Sequence, residues 1–522
     1  MAAMTAARAT LLATLAALPL LGQAQDRPSE ADLFGGPAAP PSDASPAEPP
    51  AAGKRPPATT PDGPVSGDAR GDALLGEPGA RASEVISGDR EDWLELGGLA
   101  YLRAFTTWTR GDTPSGWMLS DPSLLDVYLD ARPGDRVRAY ALGRLTHTPS
   151  GGGASLAGFS GLPGAGTTST GPTTRALLDQ FWVNFDAGRA VFVTAGKQHV
   201  KWGTGRFWNP TDYLHPTRRD PLTRYDERSG VTMVKAHLPW EKRGWNLYGI
   251  ALLEDVAGGT QPDGSARTVS KLGDVGVAGR AEVVLGGVEL AADGVAQRGH
   301  RPRFGLDGSF PLGDFDLRFE VALRSGRDTP RWERVPGTTR ADDVFKQYRL
   351  KPLDGLTPAA VVGAEWSWKY SDQDTLTIGG EYAYDASGYD SAGIYPYLLV
   401  LPLLPGSPDR RAAFTPFYLA RQYAGLYLHL PAPGSWNDTT VTLSALGSIT
   451  DGSALVRVDH SVVIDTYLRL ETFVAGHVGH QFGEFRFGGT VGKDQGGIGL
   501  PPVDVAVPVP ILDLGVALRV SL

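Results

Sequence analysis

The segment "FDLRFEVALRS", residues 315–325, alternates apolar and polar side chains along its whole length. The apolar members occupy every second position: Phe315, Leu317, Phe319, Val321 and Leu323. Charged residues fill most of the positions between them. Successive side chains of a β-strand point to opposite faces, so this pattern predicts a strand with one apolar face and one ionic face.

Segments of the same kind recur from residue 93 to the C-terminus, for example "RVRAYALGRL" (136–145) and "VVGAEWSWKY" (361–370). Counted along the chain, the links after even-numbered strands are mostly tight turns, whereas those after odd-numbered strands are often long, as at residues 326–359. This alternation is typical of outer-membrane barrels, in which every lipid-facing backbone group must be paired internally. A soluble sandwich also alternates, but it requires no such regularity of links.

We therefore predict an all-β fold. It is a transmembrane antiparallel β-barrel of about 16–18 strands, with 18 the best count, short periplasmic turns and long extracellular loops. Residues 484–491 are a possible strand extension within the last loop. The chain contains no cysteine, which excludes disulfide frameworks and Cys-based zinc sites. Its formal net charge of -9 does not favour nucleic-acid binding.

The N-terminal region divides into two predicted parts. Residues 1–24 combine an Arg-bearing start, an apolar run and small residues before a cleavage point, which predicts a signal peptide. Residues 25–90 are dominated by Pro, Ala, Gly and Ser, so we expect a disordered periplasmic segment. It is either a plain tether or, through residues 26–90, a docking site for a periplasmic partner. The barrel then covers residues 91–522.

The last segment, "ILDLGVALRVSL" (511–522), has one unbroken apolar face. It resembles the C-terminal signal that the barrel-assembly machinery reads, although that signal usually ends in an aromatic residue and this chain ends in Leu522. The resemblance implies that the machinery is a partner. Outer-membrane lipid and lipopolysaccharide are the other expected partners, and an oligomer is compatible with the pattern.

Charges on the polar strand faces should point into the barrel, because a charge facing lipid at mid-depth costs roughly 2–4 kcal/mol. The candidate lumen-wall residues are Arg136, Arg138, Arg318, Glu320, Glu365, Lys369 and Arg421. Their mixed signs predict ladders of opposite charges rather than a field of one sign.

The segment "AGKQHVKWGTGRFWNPTDYLHPTRRDPL", residues 195–222, follows a predicted strand into a long external loop. Pro210 and Pro216 argue against a phosphate-binding loop, since they break any helix whose N-terminus could hold the phosphate. His199, Asp212 and His215 have no recognised metal-ligand spacing, so a metal site has little support.

Within that segment, "GKQHVKWGTGRFWNPTDYL" resembles a motif of a porin-like family of large bacterial outer-membrane barrels, largely uncharacterised and near the alginate-export and substrate-selective porins. The resemblance implies a passive channel whose motif loop lies at or inside the pore. The candidate constriction residues are Lys197, Lys201, Arg206, Asp212, Arg218, Arg219 and Arg224. The alternative is a loop closed by its own salt bridges.

Three functions remain open at this point. The first is a channel for passive passage of small polar or anionic solutes, with charged side chains selecting the solute. The second is a structural outer-membrane component of an export or surface apparatus, tethered to periplasmic partners by the N-terminal segment. The third is a membrane-embedded hydrolase. No nucleophile motif is present, so we name no catalytic residue, and we expect no cofactor.

Overall fold

In the computed structural model, the described residues are 93–134, 136–149, 172–188, 190–223, 225–260, 266–338, 348–371, 374–400, 416–491 and 505–521. The predicted signal peptide, the predicted disordered segment and Arg224 lie outside these ranges. Among the described residues, no helix is long and apolar enough to cross a bilayer.

Eighteen antiparallel strands form one closed barrel, which confirms the predicted fold class. Each strand pairs with its neighbours in the chain, and the first strand pairs with the last from Leu99↔Ser521 to Thr109↔Pro510. The strands are β1 Leu94–Thr109, β2 Ser123–Gly134, β3 Val137–Thr148, β4 Thr173–Ala187, β5 Val191–Gln198, β6 Val231–Trp240, β7 Trp245–Leu252, β8 Gly276–Leu285, β9 Val288–Ala296, β10 Arg303–Leu312, β11 Phe315–Arg334, β12 Tyr348–Lys369, β13 Thr375–Asp385, β14 Gln422–Pro431, β15 Thr439–Ser448, β16 Ser453–Asp465, β17 Leu468–Gly479 and β18 Pro510–Ser521.

The links alternate between the two ends of the barrel as predicted. At one end, here called the short-turn end, they are 135–136, 188–190, 241–244, 286–287, 313–314, 370–374, 432–438 and 466–467. At the other end, the long-loop end, they are 110–122, 149–172, 199–230, 253–275, 297–302, 335–347, 386–421, 449–452 and 480–509. Two of the latter, 297–302 and 449–452, are short exceptions.

Two predicted boundaries are wrong. Residues 326–359, expected to form a long loop, largely continue β11 and β12, which reach 20 and 22 residues. The possible strand at 484–491 is instead a 3₁₀ turn, Glu484–Arg486, followed by a short strand, Gly489–Val491. That short strand pairs with Val505–Val507, outside the barrel sheet.

The outer face of the barrel is apolar. Successive side chains along each strand point alternately inward and outward, and the outward ones are mostly apolar. Leu102, Phe181, Phe304 and Leu426 are each more than half exposed there. Aromatic pairs lie at the short-turn ends of strands, namely Trp240–Trp245 and Trp366–Trp368. An apolar band with aromatic edges is the surface that membrane barrels present to lipid.

Three apolar clusters lie on the inner side or above it. One joins the first part of link 199–230 to the inner face of β6 to β12, and includes Val200, Trp202 and Leu214. A second joins Phe207, Trp208 and Leu222 of the same link to β12 to β17. The third lies at the long-loop end, where Trp332 and Tyr348 pack against a short helix, α1 Tyr395–Val400.

Candidate functional site

The link 199–230, here called the inner loop, folds into the barrel and contacts most strands of the inner wall. Its apolar side chains pack on β6 to β17, as described above. Its polar groups bind wall residues of β1, β2, β3, β4, β11 and β13. The space enclosed by the strands, the lumen, is therefore crossed by this loop.

One wall carboxylate, that of Glu320 on β11, binds the glycine-rich turn of the inner loop. The backbone N–H of Gly205 donates to Oε1. Asn209 Nδ2 donates to the same oxygen at 3.0 Å, and Thr211 Oγ1 donates to Oε2 at 2.9 Å. Glu320 is fully buried, so these donors replace the water that a carboxylate otherwise needs.

The glycines of the motif are explained by this contact. Gly203 has φ +95°, a conformation that favours glycine. A Cβ at position 203 would also lie 2.5 Å from a Glu320 carboxylate oxygen, and one at 205 would lie 3.0 Å from it. Any side chain at either position would therefore push the turn away from the wall.

A second wall carboxylate, that of Glu381 on β13, binds the next two amides of the loop. Arg206 N–H donates to Oε1, and Phe207 N–H donates to Oε2 at 2.8 Å. The neighbouring Trp208 stacks on Tyr423 with ring centres 5.3 Å apart and donates its indole N–H to a backbone carbonyl at 3.1 Å. Glu320 and Glu381 thus hold one tight turn against two strands.

The end of the inner loop is fixed by charged groups of β1 to β4. Arg144 forms a bidentate ion pair with Asp126 at 2.9 and 3.0 Å, and the hydroxyl of Tyr225 donates to the same aspartate. Asp179 accepts the Gly230 N–H at 3.0 Å. Glu227 pairs with Arg103 on β1.

The interior of the loop contains its own ion pairs. Arg228 contacts Asp212 and Asp226, each at 2.8 Å. His215 is buried beside this group, and burial together with the charge of Arg228 lowers its pKa to about 4. Its ring stacks on His199, whose Nε2 contacts Asp179 at 3.1 Å. Among the described residues, no group of three or more His, Cys, Asp or Glu side chains is placed to hold a metal ion.

The predicted constriction residues occupy different environments. Arg206 lies over the Tyr427 ring at 3.8 Å from its centre, and Arg218 contacts Asp385 at 3.5 Å and lies over Tyr418. Asp212 pairs with Arg228, and Lys201 and Arg219 are half-buried in the loop.

Lys197 does not belong to the constriction. It lies on β5 directly opposite Phe181, whose side chain is 60 % exposed on the outer face. Directly opposed residues of an antiparallel pair share a face. The register of β5 therefore turns Lys197 outward. Its place in the motif predicts a constriction residue, but the motif does not show which face of the strand it occupies.

The predicted wall residues divide similarly. Arg138 pairs with Asp130 at 2.8 Å, and Arg318 pairs with Glu365 at 2.7 Å, both on the inner face. Arg136, Lys369 and Arg421 are not mid-wall residues. Arg136 and Lys369 are exposed at the short-turn end, one in a turn and one as the last residue of β12, and Arg421 pairs with Asp390 in the link 386–421.

Sequence reasoning did not single out Asp179. A bulge in β4 shifts its register against β3 between Leu142 and Gly143, so the simple alternation of faces fails there. Glu381 did lie on a predicted polar face, but nothing in the local pattern distinguished it from the other acidic residues.

No family model matches the chain, and no curated protein matches it. Among solved structures, OccAB1 of Acinetobacter baumannii is 11% identical, with a TM-score of 0.46 and coverage of 85% of this chain and 99% of that one. A mutant of the Rh. blastica porin is 12% identical, with a TM-score of 0.35 and coverage of 82% and 100%. Salmonella typhi OmpF in complex with daunomycin is 8% identical, with a TM-score of 0.37 and coverage of 82% and 97%. These scores are too low for the likeness to support a conclusion.

Proposed function

We propose that the protein is a porin-like channel of the bacterial outer membrane for passive passage of small polar or anionic solutes. The long-loop end then faces the cell exterior and the short-turn end faces the periplasm. The observation that carries the proposal is the seating of the inner loop, by Glu320 and Glu381, inside a barrel whose outer face is apolar.

The physical support is the contrast between the two faces. Barrels of 16–18 strands enclose a space wide enough for water, and an ionic inner wall is stable only against water or against its own counter-charges. Here the wall supplies pairs such as Arg138–Asp130, Arg280–Asp307 and Arg457–Asp459. A loop across such a space limits what can pass to small solutes.

The ion preference of the channel should depend on the inner-loop arginines whose charge is least neutralised by neighbouring carboxylates. Arg206 is covered by Tyr427, and Arg228 is paired twice, so neither presents a free charge. Arg218 contacts Asp385 at 3.5 Å and lies over the Tyr418 ring at 4.8 Å, but its side chain is exposed, whereas those of Arg206 and Arg228 are not. It is therefore the inner-loop arginine best placed to favour anions.

The test is conductance of the purified full-length protein in planar bilayers. We expect stepwise currents, and we expect Arg218→Gln to shift the reversal potential towards cation preference. Lys197→Gln removes the same charge from the outer face and should leave the reversal potential unchanged. A barrel that inserts but carries no current would overturn the channel and leave the structural role in an export or surface apparatus.

A further inference from the structure

The inner face of β6 carries one buried cation, Lys235. Its side chain is 5 % exposed. Along the strand it alternates with Val234, which is exposed on the outer face, and shares the inner face with Met233, which is fully buried under the inner loop. Lys235 therefore lies on the lumen side, one side-chain row from Met233 towards the short-turn end.

The wall arginines of this barrel are paired with carboxylates on or near the same wall. This holds for Arg138, Arg144, Arg280, Arg318, Arg324 and Arg457. Lys235 differs: within the described part of the chain, no hydrogen bond or ion pair joins its ammonium group to another residue. A buried charge without a counter-charge is costly, and an ionisable residue kept at such depth marks a solute contact in membrane proteins.

A second donor faces Lys235 across the strand pair. Thr194 of β5 is its direct partner in register and is also 5 % exposed. The Thr194 hydroxyl oxygen accepts a hydrogen bond from Asn184 Nδ2 at 2.8 Å. Among the described residues, the Thr194 hydroxyl donates to no acceptor, so its hydrogen is available to a ligand. Directly opposed side chains lie close enough to contact one ligand.

The surroundings favour a small ligand in a sheltered place. β7 is the other neighbour of β6 in the sheet, and its residue Ile250 is the direct partner of Lys235 and is buried. The next inner residue along β6, His237, stacks on Tyr248 with ring centres 4.5 Å apart. Apolar and aromatic groups on both sides lower the local polarity, which strengthens a contact between an ammonium group and an anion.

We propose that Lys235 and Thr194 form an oxyanion-binding subsite on the inner wall, directly beneath the inner loop. The ligand class is a small solute with a carboxylate or phosphate group, which accepts one hydrogen bond from the ammonium group and one from the hydroxyl. The proposal rests on the proposed channel for the supply of solute, but binding itself does not require current.

The first experiment is calorimetric titration of the full-length protein in detergent with acetate, with inorganic phosphate and with chloride. We expect saturable binding of acetate, of phosphate or of both. Comparison of the two affinities shows whether the subsite prefers a carboxylate or a phosphate group. K235Q should weaken that binding by about tenfold or more, since a charge-assisted hydrogen bond is lost. T194V should weaken it less, K235R should retain most of it, and K197Q, the same change on the outer face of β5, should have no effect.

The second experiment adds the oxyanion to bilayer recordings in chloride. We expect it to reduce the chloride current in the wild type and not in K235Q. If K235Q fails to fold, judged by loss of the heat-dependent shift in gel mobility, K235M provides the same test without an amide group. Oxyanion binding that is unchanged in both variants, or absent in the wild type, overturns the subsite. Absence of current with intact Lys235-dependent binding overturns the channel instead.

Discussion

At the scale of single residues, Glu320 and Glu381 explain why the motif of the inner loop has its composition. The two carboxylates accept amide hydrogen bonds from consecutive residues, and this is possible only where the backbone comes close to the wall. Gly203 and Gly205 permit that approach, while Asn209 and Thr211 add side-chain donors to Glu320. The motif is thus a docking element for the barrel's own wall.

Glu320→Gln should loosen the inner loop without unfolding the barrel. The amide keeps one acceptor but places N–H groups against the donors of the loop, and each lost hydrogen bond to a carboxylate costs roughly 1.5–3 kcal/mol. We expect larger current fluctuations in the open state and new protease cleavage within residues 199–230. Glu289→Gln, which alters a wall carboxylate bound by Ser309 at 3.1 Å, is the matched control. Equal fluctuations in both variants would contradict the docking role.

The loops should respond to pH in opposite directions. His215 has its pKa lowered by burial to about 4, below its ordinary value of 6.5, so it is neutral when folded. The loosened loop then binds the extra proton between these values, and acidification should favour loosening. We expect inner-loop cleavage to increase from about pH 7 to about pH 4.5. His215→Phe should remove this increase, because phenylalanine cannot take up the proton. Among the described residues, the buried Nδ1 has no hydrogen-bond partner, so the substitution breaks no hydrogen bond of that atom.

Glu484 in the link 480–509 behaves in the reverse sense. Burial raises its pKa to about 8, Asp451 adds to the rise, and Tyr423 opposes it by a hydrogen bond. A raised carboxyl pKa contributes stability that is full below the unfolded value of 4.5 and is lost as the pH rises through about 8. The Glu484 carboxyl group accepts hydrogen bonds from the backbone N–H groups of Leu419 and Ala420. We expect these two amides to lose protection against hydrogen exchange above that pH, after correction for the pH dependence of the intrinsic exchange rate. Glu484→Gln should flatten the change.

At the scale of elements, the long hairpin of β11 and β12 extends the sheet past the other strands at the long-loop end. Trp332 and Tyr348 on this extension are buried against Tyr395, Tyr397 and Leu398. The hairpin and the helix α1 therefore share a small core that does not involve the lipid-facing surface. Its stability can be altered separately from that of the barrel.

Trp332→Ala should open this core. Trp332 is buried, and truncation of a buried tryptophan to alanine costs about 3–5 kcal/mol of folding free energy. We expect rapid protease cleavage near residues 330–350 with an unchanged heat-dependent shift in gel mobility. Trp436→Ala removes a tryptophan that is 63 % exposed at the short-turn end and should leave both measurements as in the wild type. Loss of the mobility shift in Trp332→Ala would show that the two cores are coupled.

The elements were predictable where local pattern determines them. Alternation over 315–325 and the lengths of the links were sufficient for the barrel, because face and register follow from a period of two. The inner position of the loop depends on contacts such as Gly205–Glu320, which join residues far apart in sequence. The bulge beside Asp179 and the outward turn of Lys197 depend on register, which composition does not reveal.

At the scale of the whole molecule, the closing seam between β1 and β18 contains a buried polar contact. Asp513 of β18 accepts a hydrogen bond from Thr107 of β1 at 2.7 Å and contacts His477 of β17 at 2.8 Å. All three residues are buried on the inner side, where water cannot replace a lost partner. This contact ties together three strands at the place where the sheet meets itself.

Asp513→Asn should weaken the seam more than the rest of the wall. The neutral amide offers fewer acceptors to the two partners, at a cost of about 1–3 kcal/mol. We expect the temperature at which the folded gel band disappears to fall. Asp459→Asn, which disrupts an ion pair with Arg457 within a single strand, should lower that temperature less. An equal fall in both variants would mean that the seam has no special role.

The pairing of β1 with β18 also constrains how the molecule can be made. A chain that stops before β18 leaves two rows of backbone amides and carbonyls with no partner, and hydrocarbon offers them none. A partly completed barrel without β18 is therefore not stable in a bilayer. Until β18 is available to pair with β1, a polypeptide of this fold would have to be kept out of a bilayer, or else be sheltered there by another protein that covers both unpaired strand edges.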